Sequence, residues 1–155
     1  MGSEAYTIRR ARVNDRAQWD PLWQGYLTFY ESRLSDELTD LLWQRIHDCQ
    51  HLINCFVAEN SATNELIGFV HYLPHPSTWS ASLYCYLEDL FVSPSLRGGG
   101  VGEALIKAVS DEAKKQSWGD VYWHTQNNNH LARGLYDKIT GGTDGFICYR
   151  IEADQ

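Results

Sequence analysis

Two groups of residues carry chemistry by their type and spacing. Arg97-Gly98-Gly99-Gly100-Val101-Gly102 sets four glycines into five positions behind an arginine. Glycine admits left-handed backbone and lets the main chain approach a ligand closely. Where such a loop opens a helix, the free N–H groups and the helix dipole form an anion site. Arg97 adds a fixed positive charge. Upstream, Tyr86-Leu-Glu-Asp-Leu-Phe-Val92 sets two carboxylates, Glu88 and Asp89, in an otherwise apolar run. A carboxylate so placed can accept a proton or hold a cation. Side chains alternate along a strand, so only one of this pair faces a cleft unless a bulge intervenes.

The glycine spacing narrows the ligand. A Walker loop requires Lys and Ser or Thr after its last glycine, and Glu103 follows Gly102. A dinucleotide fingerprint starting at Gly98 and Gly100 requires a third glycine at position 103, which is again Glu103. What remains is Arg97-x-x-Gly100-x-Gly102.

These residues need elements to position them. Alternation predicts a first strand over Tyr6 to Arg12. Asn14 or Asp15 caps a helix with Trp19, Leu22, Trp23, Tyr26, Leu27 and Tyr30 at helical spacing, and Pro21 is expected in its first turn. A second helix starts near Ser35, with Leu38, Leu41, Leu42 and Ile46 as its apolar stripe. Residues 55–58 and 66–72 form a hairpin around 60–65, and Pro74 to Ser77 breaks its second strand. A strand over 84–92 leads into the glycines. The helix after them, about 103–116, buries Ala104, Leu105, Ala108, Val109 and Ala113. A strand over 121–125, a short helix over 130–138 capped by Asn127 to Asn129, and a last strand over 146–151 complete the chain. The order β-α-α-β-β-β-α-β-α-β predicts an α+β fold, a mixed central sheet flanked by helices, in one domain over 1–155.

Composition limits the partners. The formal charge of −7 argues against nucleic acid, which requires a basic face, and is compatible with a cationic small substrate. No apolar run approaches the roughly 20 residues that span a bilayer, and Met1 to Arg12 lacks the apolar core of a secretory signal. No membrane partner is expected. Four scattered cysteines fit reduced thiols in a cytoplasmic protein. His47 and His51, and His71 and His75, lack completing ligands, so no metal is expected.

Arg97-x-x-Gly100-x-Gly102, the Leu87 to Val92 run before it, and Asn129-x-x-Ala132-x-x-x-Tyr136 after it resemble the GNAT superfamily of acetyltransferases. Tyr86 to Val92 is similar to the diamine acetyltransferases. Trp19-x-x-Leu-Trp-x-x-Tyr-x-x-Phe-Tyr30 resembles the yeast Hpa-type histone and polyamine acetyltransferases. The resemblance implies the GNAT fold, acetyl-CoA as cosubstrate, and acetyl transfer by direct attack of a primary amine. That amine is a polyamine, a small amine or amino acid, or a protein lysine. A non-catalytic acyl-CoA sensor on the same fold is the alternative.

The resemblance also assigns residues. Glu88 is the base or only orients a cation, with Asp89 as second choice. Tyr136 is the general acid near the coenzyme sulfur. Leu90 or Phe91 supplies an oxyanion N–H, and the strand through Val92 pairs with pantetheine amides. Gly98, Gly99, Gly100, Val101 and Gly102, with Arg97, hold the pyrophosphate, and Asn129 meets pantetheine. Tyr30 and Glu31, with Tyr26, Trp79 and Tyr84 nearby, line the acceptor pocket. GNAT chains continue Tyr-x-x-x-Gly-Phe, whereas here Phe146 comes after a longer connection. A last strand shared with a partner subunit, and hence a homodimer, is expected.

Overall fold

A computed structural model describes residues 5–153. They fall into two compact units, one ending at His124 and the other beginning at Thr125. The first unit holds β1 (Tyr6–Arg10), α1 (Arg16–Phe29), α2 (Asp36–Ile46), β2 (Asn54–Asn60), β3 (Leu66–His75), β4 (Tyr84–Val92), α3 (Val101–Lys115) and β5 (Val121–Tyr122). The second holds α4 (His130–Thr140) and the segment after it. The five strands lie in chain order, antiparallel from β1 to β4 and parallel between β4 and β5. This is the mixed sheet expected. Among the described residues no helix is long and apolar enough to cross a membrane.

α1 starts after a short 3-10 turn over Val13–Asp15, so Pro21 is its sixth residue rather than part of its first turn. Proline removes one helical hydrogen bond, at a cost of about 3 kcal/mol. Burial of Trp19, Leu22, Trp23 and Leu27, at roughly 2 kcal/mol or more each, outweighs it. The entry to α1 is fixed by charge. Arg9 makes a two-pronged bond to Asp15 at 2.7 and 2.9 Å and also pairs with Glu59. Burial raises the Asp15 carboxyl, but the bonds from Arg9 and from the Arg12 N–H prevail and hold it below its ordinary value.

α2 begins as predicted, with Ser35 Oγ accepting from the Leu38 N–H at 3.1 Å. Its buried face differs from the predicted stripe. Thr39 and Trp43 are buried, Leu42 and Ile46 pack beside them, and Leu38 and Leu41 are exposed. α3 buries Val101, Leu105, Ile106, Val109 and Ala113, whereas Ala104 and Ala108 are only partly covered. It also buries Glu112, which pairs with Arg10 at 2.7 Å.

Three strands depart from expectation. β3 runs through Pro74, which stands opposite Cys85 on β4. β5 has two residues rather than five. Phe146 to Ile151 forms no strand. Asp144 Oδ1 accepts from the Phe146 N–H at 3.0 Å, a local turn that replaces the start of a ladder. An extended segment becomes a strand only when a neighbour takes its N–H and C=O groups, and these side chains are largely exposed. The four cysteines are free thiols, Cys55 and Cys85 buried, Cys49 and Cys148 exposed.

Candidate active site

Glu88 is an extra residue in the ladder. His71 on β3 pairs with Asp89, and the next residue, Tyr72, pairs with Leu87, so a bulge leaves Glu88 without a partner position. Paired residues share a face. Cys85 and Leu87 therefore lie on the Tyr72 face, while Asp89 and Phe91 lie on the face of His71 and Phe69. The bulge moves odd-numbered residues from one face to the other. It also resolves the conflict between adjacent carboxylates, because Glu88 and Asp89 both line one cavity.

That cavity has a volume of about 190 Å³ and is bounded by Trp23 of α1, by Leu38, Thr39, Leu42 and Arg45 of α2, by Leu34 before it, and by the two carboxylates. The predicted acceptor residues are not in its lining, although Tyr26 and Tyr30 stand beside Asp89. Tyr30 is half-buried at the end of α1, its ring tilted against Tyr26 at 4.9 Å between centroids, and its phenol is raised by burial and then by the nearby Asp89. Glu31 is exposed with φ +54°, and Trp79 is 80% exposed. None of the three lines the cavity.

The two carboxylates differ in their surroundings. Trp19 Nε1 donates to His71 Nε2 at 3.2 Å. An indole only donates, so Nε2 is the acceptor and the ring proton sits on Nδ1. Nδ1 then donates to Asp89 Oδ2 at 2.9 Å. His71 is buried, and this chain of bonds fixes Asp89 against β3. Glu88 has no such tether, and it presents exposed surface. Its carboxyl is nevertheless raised above the ordinary value, first by lost hydration in the cavity wall and then by the Asp89 charge, with His71 opposing. A raised carboxyl at a substrate-sized hollow is a stronger base than a free one.

The far end of β4 offers main chain. β5 pairs with β4 only at Cys85 and Tyr86. The Ser93 N–H bonds to Ile67 O of β3 at 2.8 Å, so by alternation Phe91 also faces β3. Leu90 and Val92 therefore direct their N–H groups to the open edge. Of the two oxyanion candidates, Leu90 has the available N–H. Arg97 Nε donates to Val92 O at 3.2 Å, and its guanidinium lies over the Phe91 and Phe29 rings at 5.4 and 5.7 Å. The arginine is thus fixed at the mouth of the loop.

The loop itself is shaped by glycine. Gly98 has φ +88° and Gly100, the cap of α3, has φ +82°. A Cβ at Gly98 would meet no atom within 4 Å, so the constraint there is conformation, not space. α3 has fifteen residues, and its first N–H groups open directly behind Gly100.

In the second unit, Asn129 has a structural task. Its Oδ1 accepts from the Ala132 N–H at 3.4 Å and caps α4. Gly141 ends the helix with φ +87°, its N–H bonding to Asp137 O at 2.8 Å. Tyr136 lies on α4 and is half-buried. Sequence reasoning missed Trp23, Thr39 and Arg45 as cavity residues and His71 as the anchor of Asp89. Aromatic residues at helical spacing read as core, and the only available signal for His71 was a histidine inside an apolar strand.

Comparisons with known proteins bear on the family and the fold. The model of the acetyltransferase (GNAT) family matches residues 19–141. The D-amino-acid N-acetyltransferase HPA3 of Saccharomyces cerevisiae is 31% identical over 97% of this chain and 93% of its own. A thialysine N-epsilon-acetyltransferase of Bos taurus is 33% identical over 65% of each chain. The crystal structure of a ribosomal-protein-alanine N-acetyltransferase from Brucella melitensis biovar Abortus 2308 superposes with a TM-score of 0.79 at 23% identity, covering 96% of this chain and 99% of that one.

Proposed function

We propose a function for a chain that belongs to the GNAT family of acetyltransferases: it transfers an acetyl group from acetyl-CoA to a primary amine, with Glu88 as the base. The observation that carries the assignment of Glu88 is the bulge, which turns an untethered carboxylate into the cavity while His71 holds its neighbour. The family match runs across both compact units, which supports treating them as one catalytic domain.

The donor site fits acetyl-CoA. The left-handed glycines and the start of α3 suit a pyrophosphate, and the open edge at Leu90 and Val92 suits the amides of pantetheine, which pair as a strand does. Glu88 takes the proton of the attacking amine, directly or through water. The amine nitrogen bonds to the thioester carbon, and the Leu90 N–H receives the charge that builds on the carbonyl oxygen. The C–S bond then breaks and the Tyr136 hydroxyl gives its proton to the leaving thiolate. An amide and a free thiol result, and the proton held by Glu88 restores Tyr136 through solvent.

The test is a pH profile. Because the Glu88 carboxyl is raised, it stays protonated at a pH where an ordinary glutamate is ionised. Activity as a base is present above that raised pKa and is lost as pH falls through it. Wild-type kcat/KM is expected to show this acidic limb. Glu88→Gln should abolish the limb and lower kcat/KM by about 10²–10⁴-fold. An unchanged limb in the variant removes Glu88 from this role.

We also infer that the chain forms a homodimer. Phe146, Ile147, Tyr149 and Ile151 are 75% to 95% exposed within six residues, a concentration of apolar surface that association would cover. Light scattering should return twice the chain mass at micromolar concentration, and a variant ending at Gly145 should return one chain mass. A monomer in both cases overturns the inference. Free thiols and the charge of −7 support a reducing, cytoplasmic setting and a small cationic acceptor rather than nucleic acid.

A further inference from the structure

Asp89 lines the cavity, and its side chain is 13% exposed. The histidine behind it is closed off, with a side chain 1% exposed. His71 Nδ1 donates to Asp89 at 2.9 Å, and His71 Nε2 accepts from the Trp19 indole at 3.2 Å. A second proton on this ring would turn Nε2 into a donor. It would then face the indole N–H, which can only donate. Two buried donors would stand against each other, and buried donors are nearly always satisfied. The Trp19 N–H therefore excludes the imidazolium, and the His71–Asp89 pair carries the charge of Asp89 alone.

We propose that Trp19 and His71 are positioning residues that hold Asp89 as a lasting anion at the cavity, and that this anion receives the acceptor amine as its ammonium before Glu88 takes the proton. The inference rests on the acetyltransferase reading above. A primary amine of pKa about 10 arrives protonated at neutral pH. One N–H bond of the ammonium breaks, its proton goes to the Glu88 carboxylate, and the freed lone pair attacks the thioester. An imidazolium at His71 would cancel the Asp89 charge. The cation would lose its counter-charge, and Glu88 would lose the neighbouring anion that helps to raise it. The other groups around the pair do not take over this task. Tyr26 and Tyr30 of α1 have phenols raised first by burial and then by Asp89, so both stay neutral. Cys55 of β2, opposite His71 in the ladder, has a buried thiol that is raised by burial. Arg45 of α2 lines the cavity, and its charge is constant with pH.

Histidine-selective NMR reads the ring directly, because the two nitrogens report which of them carries a proton. In wild type, His71 is expected to remain the neutral Nδ1–H form between about pH 5 and 8, where an unhindered histidine changes charge. In Trp19→Phe the same ring should take a second proton or shift its tautomer. A wild-type ring that becomes imidazolium in that range, or a Trp19→Phe ring that keeps the wild-type form throughout, overturns the lock. The wild-type spectrum alone can do so, even if a variant fails to fold. The ammonium site is tested by coenzyme A thiol release with lysine, ethanolamine and phenethylamine. His71→Leu, which removes the donor to Asp89, should raise KM for the amine by about 10–100-fold, the range of one charged hydrogen bond, with kcat changed less. His71→Asn, whose amide can donate where Nδ1 does, should return KM to within a few-fold of wild type. Equal losses in the two variants, or a loss confined to kcat, overturns the positioning role, since leucine fills the apolar surroundings at least as well as asparagine. If no amine releases thiol, the acetyltransferase reading fails for these acceptors. Calorimetric titration of the same amines into wild type and His71→Leu then judges the site separately. Binding that the variant loses supports it, and equal binding or none sinks it.

Discussion

Tyr136→Phe is expected to lower kcat by about 10²–10⁴-fold while leaving the dissociation constant for acetyl-CoA within a few-fold of wild type. The thiolate leaves with a poor proton supply from water at neutral pH. A phenol of pKa about 10 and an alkyl thiol of pKa about 8.5 are close enough for the hydroxyl to share or give its proton as the C–S bond breaks. Phenylalanine keeps the ring and removes only the oxygen, so α4, capped by Asn129 and closed by Gly141, should retain its stability. Single-turnover thiol release alongside a coenzyme titration separates the two quantities. A thioester whose thiol is more acidic should recover more activity in the variant than in wild type. An unchanged kcat would remove the acid role from Tyr136.

Trp19→Ala should destabilise the protein by about 3–5 kcal/mol, a large fraction of the roughly 5–15 kcal/mol that holds a domain folded. Trp19 is fully buried and meets three rings, Trp23 at 5.9 Å, Trp43 at 4.7 Å and His71 at 5.8 Å between centroids. It joins α1, α2 and β3 at one point. Trp19→Phe dissects this. It keeps an aromatic ring but removes the donor to His71 Nε2, leaving a buried acceptor unpaired at a cost of about 1–3 kcal/mol. It also frees His71 to move its proton to Nε2, and Asp89 then loses its fixed donor. Urea denaturation at constant m-value measures both variants. The exposed Val13, replaced by alanine, serves as a control expected within about 0.5 kcal/mol of wild type. A loss below about 1 kcal/mol for Trp19→Ala would show that these rings do not form one packed core.

Much of this was legible from residue types. Ser35 before Asp36 and Glu37, and Asn129 before α4, are capping residues whose side chains act within one turn, and both helices start where they predict. The glycines before α3 are legible for the same reason, since a left-handed backbone is a local property. The bulge was legible only as an open possibility between Glu88 and Asp89. Leu87-Glu88-Asp89-Leu90 reads equally well with or without an extra residue, and only the partner strand decides which register is kept. The wall of α2 was hidden as well. Leu38, Leu42 and Arg45 look like one stripe and one surface charge, yet together they bound the cavity, while Thr39 and Trp43 take the buried positions. Which leucines are covered depends on how α2 lies against α1, a long-range fact. The final segment failed for the opposite reason: Phe146 to Ile151 has strand-forming residues, and no strand among the described residues pairs with it.

The bulge at Glu88 makes the length of β4 count for more than its spelling. Each side of the sheet receives its residues by counting from the start of β4 at Tyr84, and the count is offset by one at Glu88. A change of one letter anywhere in 84–92 alters one side chain. Loss or gain of one letter before the offset exchanges the contents of two faces, sending Asp89 and Phe91 toward α3 and their neighbours toward α1. Divergence within this strand can therefore proceed by substitution, whereas a single-codon insertion or deletion would dismantle the core and the acceptor site together.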